Sequence, residues 1–261
     1  RMFREKEFKG EKGELALDLS AGTVMKLMLV GLGESDKLDL AGFYKAVGAA
    51  TLKLKKSHAL EITFWLPAKV QAKLGAEHVG QALAEAALIS GYTYLKFKTR
   101  EKDQTVIKKF VIHLEDVAEE KSVQKGLRVG QVIGTSVNMT RDYGNSPSNE
   151  ITPTKLAEEA QEIAKEFSAI KLTVLGQKEI EREGMGGLLG VAKGSPQAPK
   201  FIVMEYWGAP AAKNIALLSA LASAATTKNA TAKVGVSHIE SPATSAKPIV
   251  IIGKGITFDT G

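Results

Sequence analysis

The chain contains no cysteine. That excludes a disulfide framework, thiolate zinc sites, iron–sulfur clusters and a cysteine nucleophile, and it is compatible with a reducing compartment. No apolar run approaches membrane-spanning length and no basic-then-apolar leader opens the sequence, so no membrane partner is expected. The first residue is Arg1 rather than Met and the last two are Thr260 and Gly261, so the sequence reads as a fragment. Nothing else is strongly depleted. Apolar residues make up 44% of the 261 residues and charged residues 25%, the mix of a globular protein rather than of a collagen-like, coiled-coil or disordered chain. The length suits one large or two modest domains with a sizeable core.

The formal net charge of +6 is unevenly spread. Residues 1–100 carry 16 Lys and Arg against 11 Asp and Glu, whereas residues 101–200 carry 14 against 15. The tight basic groups are Lys53, Lys55 and Lys56, and then Lys108 and Lys109. A nucleic-acid surface needs such groups on one face with aromatic or Arg readers among them. These lack that company and read as a solvated helix end and an exposed strand face.

Hydrophobic periodicity gives an α/β pattern. Residues 14–20 alternate as a half-buried strand, and 26–31 form a continuous apolar run ending in glycine, as in a buried parallel strand. A helix is predicted over 39–54, where Leu40, Phe43, Val47 and Ala50 recur at helical spacing. A strand over 60–66 stops at Pro67, a helix follows over 69–90, and a strand over 106–114. The helix predicted over 121–142 carries Val123, Leu127, Gly130, Ile133 and Val137. This alternation argues a layered α/β domain with a largely parallel sheet.

The turn cluster Gly144–Asn149 marks the best boundary, giving an N-terminal domain over 1–143 and a second α/β block over 144–261. In that block Thr152 is placed to cap a helix with Pro153 at its first position. Leu156, Ala160, Ile163 and Phe167 supply its apolar stripe. Strands are expected at 170–175, 201–206 and 249–252, and a short helix near 177–183 ended by Gly184. In residues 214–246, 18 of 33 are Ala, Ser or Thr and none is aromatic; this segment reads as an inserted surface loop with a short helix over 215–225.

Most chemical motifs fail on spacing. His58, His78, His113 and His238 fit no metal-ligand pattern, and no serine sits in a Gly-x-Ser-x-Gly elbow. Gly31 and Gly33 follow a strand, but Asp36 stands where a dinucleotide fingerprint needs its third glycine. Around Lys254, position 248 is Pro and position 255 is Gly, which rules out a phosphate loop. What remains is Lys254 and Asp259 beyond the apolar run Ile249–Ile252, where open α/β sheets gather their sites. Glycines at 253, 255 and 261 let the backbone approach an ion closely. An amine and a carboxylate there suit a divalent metal, while a surface ion pair at a strand end accounts for the same spacing.

The segment Pro248–Gly261 resembles the first metal-binding motif of the leucyl aminopeptidase family, the dinuclear-metal cytosol aminopeptidases. Arg141–Asn149 resembles the segment that joins that family's two domains, and Gly184–Ser195 resembles its next strand-and-loop block. Leu29–Gly33 fits its N-terminal domain more loosely. The resemblance spans nearly the whole chain outside 214–246. It implies a macro-domain-like N-terminal α/β domain followed by the first part of a larger α/β metallo-exopeptidase domain. By position, Lys254 is similar to the lysine whose amine binds one metal, and Asp259 to the aspartate between the two. A lysine amine must be neutral to offer its lone pair, which at pH 7 costs about 4.6 kcal/mol from a reference pKa near 10.4. Binding to a dication offsets that cost.

The resemblance further implies a cytoplasmic homohexamer acting on peptide substrates with two divalent ions, zinc or manganese. The family's remaining metal carboxylates, its catalytic lysine and its anion-binding arginine lie C-terminal to this motif. No catalytic residue is therefore assigned within the 261 residues, and the chain alone is expected to be inactive. Two alternatives stay open: a non-catalytic scaffold, or a nucleic-acid-binding member of the same family.

Overall fold

The computed structural model describes residues 8–18, 26–99, 106–206 and 249–255. These have a mixed α/β fold in two compact units that divide between Asp142 and Tyr143.

In the first unit, β1 (Leu15–Asp18) and β2 (Leu27–Val30) form an antiparallel pair, with Leu15 opposite Val30. The apolar run of β2 predicts a buried parallel strand. The connection from β1 is too short for that, because a parallel crossover needs a dozen or more residues. The edge residue Leu27 remains 44% exposed. A single 3-10 turn, Ser35–Lys37, leads into α1 (Leu40–Lys56). Asp39 caps α1 by accepting a hydrogen bond from the Gly42 N–H at 2.8 Å. Phe43, Val47 and Ala50 bury one stripe of the helix as their spacing predicts, continued by Leu54, while Leu40, expected in the same stripe, is exposed in the first turn.

Strand β3 (Glu61–Leu66) pairs in parallel with β4 (Lys109–Leu114), Ile62 opposite Phe110 and Leu66 opposite Leu114. Ile62 and Leu66 point into the core, where Phe43, Val47, Val79, Leu83 and Val123 meet. The predicted helix over 69–90 is two helices, α2 (Ala68–Leu74) and α3 (Ala76–Gly91). Gly75 breaks them at φ +83°, a conformation that glycine adopts at little cost.

Helix α4 (Glu120–Asn145) is 26 residues long and begins and ends near its predicted limits. Of its expected row, Val123 and Gly130 are buried and Leu127 packs against the core, whereas Ile133 and Val137 are exposed; Gly126 and Gly134 are buried in their place, against α3. A Cβ on Gly126 would lie 1.9 Å from the Glu77 carbonyl oxygen, and one on Gly130 would lie 2.3 Å from that of Gln81. From the other side, a Cβ on Gly80 would lie 2.4 Å from the Val123 carbonyl oxygen. The two backbones thus touch where no side chain fits, and past Gly130 the glycines rather than Ile133 and Val137 face α3.

In the second unit the helix runs on through Gly144 and Asn145, so the predicted turn cluster starts only at Ser146. Helix α5 (Pro153–Glu166) opens as its sequence predicts: Thr152 Oγ1 accepts from the Lys155 N–H at 3.2 Å and Pro153 takes the first position. Ala157, Ala160 and Phe167 are buried. Strands β5 (Ile170–Leu175) and β6 (Phe201–Tyr206) pair antiparallel, and the facing Lys171 and Glu205 form an ion pair at 3.3 Å. The largely parallel sheet expected from the sequence is therefore confined, among the described residues, to β3 and β4.

Helix α6 (Gln177–Arg182) is followed by Gly184 at φ +66°. Next comes α7 (Gly186–Ala192), where the resemblance implies a strand and loop. Its backbone hydrogen bonds close locally, the Leu189 N–H to the Met185 carbonyl at 3.2 Å and the Lys193 N–H to that of Leu189 at 3.1 Å. Residues 249–252 are not a strand either. They pair with no strand among the described residues, and Ile249 and Ile251 are each 93% exposed. An isolated strand has no ladder to satisfy its backbone, so the apolar run alone does not make one. The 214–246 segment and its short helix lie outside the described residues.

Candidate metal-binding segment

Lys254 stands exposed between Gly253 and Gly255, outside any helix or strand, and around both glycines the space for a Cβ is open within 4 Å. Asp259 lies outside the described residues. His58, His78 and His113 do not converge, and His238 also lies outside the described residues. Among the described residues no group of three or more His, Asp or Glu could hold a metal ion. Two divalent ions need several oxygen or nitrogen ligands between them. The described residues place one of the two assigned ligands, so by themselves they do not fit such a centre.

The glycine turn after β2 is used by the fold. Gly31 donates its N–H to the Glu14 carbonyl at 2.8 Å, and Gly33 donates to Gly10 at 2.9 Å. A Cβ at Gly31 would lie 2.1 Å from the Glu11 carbonyl oxygen. These amides extend the β1–β2 contact and are not turned to a phosphate.

The motif around Arg141 has a defined structural task that the sequence reading passed over. Helix α3 ends on Gly91 and Tyr92 without a left-handed cap, so its last carbonyls need other donors. Asn138 Nδ2 donates to Leu88 O at 3.0 Å, and Arg141 donates to Ile89 O at 2.8 Å. Lys55 donates to Gly91 O at 3.0 Å and Tyr92 O at 2.8 Å, and also meets Thr93 Oγ1. Burial, with Arg141 nearby as a second cause, pushes the Lys55 amine below its ordinary value. Lys55 is thus half-buried and turned inward, which corrects its reading as part of a solvated helix end. It also removes the middle of the basic cluster that a nucleic-acid surface would use. The sequence hid this capping, because Gly91 directly after the predicted helix reads as an ordinary C-terminal glycine, whereas the helix runs through it to a cap at Tyr92 with φ -56°.

Two domain models of one family match the chain. "Cytosol aminopeptidase family, N-terminal domain" covers residues 1–101, and "Cytosol aminopeptidase family, catalytic domain" covers residues 138–219. The chain belongs to the cytosol aminopeptidase family. Curated relatives agree along its length. A "Probable cytosol aminopeptidase" of Nitrosococcus oceani is 30% identical over 267 residues, aligning with 100% of this chain and 46% of its own length. One from Nitrosospira multiformis is 35% identical over 245 residues, covering 90% of this chain and 40% of its own. The chain therefore spans less than half the length of these relatives.

Solved structures share the fold. A mutant of tomato leucine aminopeptidase superposes with a TM-score of 0.66 at 21% identity, over 85% of this chain and 48% of that one. The bottromycin maturation enzyme BotP, in complex with Mn, gives 0.60 at 22% identity over 77% and 41%. Among the described residues no helix is long and apolar enough to cross a membrane.

Proposed function

We propose that this sequence serves in a metal-dependent aminopeptidase that releases N-terminal, leucine-type residues from peptides. Residues 1–143 form its N-terminal domain and residues 144–261 open its catalytic domain, with 214–246 as an inserted loop. One observation carries the reading: the two domain models of a single peptidase family match this chain in order, with the Lys254–Asp259 motif following the second match. Lys254 and Asp259 serve as ligands to two divalent ions, zinc or manganese, completed by acidic groups outside the 261 residues. The assembly is a cytoplasmic homohexamer.

The 261-residue chain alone has no peptidase activity in this reading, because two ligands do not hold two dications. The test uses a chromogenic leucine anilide with added manganese or zinc. A longer polypeptide carrying this sequence and further acidic ligands hydrolyses it, while the present chain stays at background. Hydrolysis by the present chain, or none by the longer one at any metal loading, overturns the proposal.

A further inference from the structure

Two lysine groups that lie far apart in the chain share one end of the first unit. α1 and α3 both finish where β3 and β4 begin. Lys55, in the last turn of α1, donates to the Gly91 and Tyr92 carbonyls at the end of α3. The Lys108 N–H bonds the Leu60 carbonyl at 2.7 Å, each one residue before its strand. A Cβ on Gly91 would lie 3.9 Å from Ile107 Cδ1, which ties the end of α3 to the same place. Lys53 and Lys56 are therefore brought to the end of the unit that holds Lys108 and Lys109, and all four are exposed. Glu61 pairs with Lys109 at 3.5 Å. The loop after α3 adds the exposed Lys96 and Lys98, with the Lys96 ammonium 5.2 Å from the centre of the Phe97 ring.

Lysines in the last turn of a helix complement its dipole, which accounts for Lys53 and Lys56. It does not account for Lys108 and Lys109 at the start of a strand. That strand is polar along its length, opening on two lysines and running out into Glu115 and Asp116. Apolar side chains stand among the lysines: Leu52, Phe97 and Val106 are 47%, 50% and 48% exposed. The partner that suits such a surface is anionic and apolar at once. Nucleic-acid surfaces use arginine forks and open aromatic faces. Here Arg141 is turned to the Ile89 carbonyl, and the Phe97 ring carries the Lys96 ammonium. At an anionic bilayer, ammonium groups meet the headgroups while aliphatic and phenyl groups enter the acyl boundary.

We propose that this end of the first unit docks peripherally on anionic phospholipid. Lys53, Lys56, Lys108 and Lys109 meet the headgroups, and Leu52, Phe97 and Val106 enter the interface. Such a contact needs no membrane-spanning helix, in keeping with the lack of one among the described residues. The inference is independent of the peptidase reading, since it concerns neither Lys254 nor any metal.

The test is co-sedimentation of the 261-residue chain with phosphatidylcholine vesicles, with and without about 30% phosphatidylserine. Binding is expected only with phosphatidylserine, and falls by about tenfold or more when salt shortens the screening length from about 10 Å to about 3 Å. Lys53→Gln combined with Lys108→Gln weakens it by about 25-fold, at about fivefold per lysine near the surface. Lys69→Gln combined with Lys73→Gln, on α2 beyond the opposite end of β3, leaves it unchanged. All four lysines are exposed, and far-ultraviolet circular dichroism checks that the variants stay folded. Phe97→Trp is quenched by brominated lipid beyond the quenching of the parent chain. No binding to the phosphatidylserine vesicles overturns the proposal, as does equal loss in the α2 variant, which would mean net charge alone. Absence of added quenching at Phe97→Trp overturns it too. So does complete displacement from the vesicles by a single-stranded oligonucleotide at equal charge concentration, which would make nucleic acid the partner.

Discussion

The guanidinium carbon of Arg141 lies 3.9 Å from the centroid of the Tyr92 ring. Tyr92 in turn donates its hydroxyl to Asp142 Oδ1 at 2.7 Å. A cation on a ring face and a carboxylate at the ring's far end hold one aromatic side chain from both sides, while the same arginine caps α3 through Ile89. The stretch of α4 at Arg141 and Asp142 is thereby fastened to the end of α3.

Replacing Arg141 removes a charged donor from that cap and a cation from the ring. Arg141→Ala is expected to destabilise the first unit by about 2 kcal/mol. Arg141→Lys recovers only part, since a single ammonium does not stack and bridge as the planar fork does. Tyr92→Phe keeps the ring and costs less than Arg141→Ala. Urea unfolding of the three variants gives the order.

The glycines of α4 separate packing from helix propensity. Gly126→Ala and Gly130→Ala force a methyl into the α3 backbone, a clash expected to cost about 2 kcal/mol or more. Gly144→Ala lies on the same helix with nothing within 4 Å of the added carbon, and should stabilise by about 0.5–1 kcal/mol. Thermal unfolding that moved all three in one direction would contradict the close backbone contact.

Asp39 gives a pH dependence of defined sign. Its hydrogen bond from the Gly42 N–H, helped by the nearby Lys12 ammonium, holds its carboxyl below the ordinary 3.8. A lowered folded value means that the unfolded chain takes up the proton first. The stabilisation is therefore full above about pH 4 and is lost as pH falls through the lower folded value. Asp39→Asn keeps a side-chain acceptor at the cap, so its unfolding midpoint should fall less between pH 5 and pH 2 than that of the parent.

In a longer polypeptide that carries the further acidic ligands, Lys254→Arg should weaken manganese or zinc binding by about tenfold or more. A guanidinium keeps its proton at neutral pH and offers no lone pair. Isothermal titration with the metal alone reads this without any peptidase assay. Unchanged affinity would remove Lys254 from the ligand set.

Much of the fold was legible because it depends on local periodicity. The buried stripe of α1, the Thr152–Pro153 start of α5 and the strands β3 to β6 follow from spacing and capping that act within a few residues. The misread pieces depend on neighbours. The 69–90 segment is alanine-rich and favours helix on both sides of Gly75, so its composition hides the break that this glycine makes. In α4 the expected row holds from Val123 to Gly130, but beyond it only the approach of α3 decides that Gly134 is buried and that Ile133 and Val137 are not. The candidate site was legible as a motif, in Lys254 and Asp259, because short-range chemistry defines it; its ligand geometry involves groups far apart in the chain.

The amino-acid order alone determined the family, the helix starts and the segment that carries metal-binding chemistry, since each is a pattern of residue types at short spacing. The tertiary structure decided which face of α4 is buried and which carbonyls Lys55 and Arg141 cap. Those outcomes are set by how closely two backbones approach and which donors are left over when they do, and neither quantity exists until distant parts of the chain have packed.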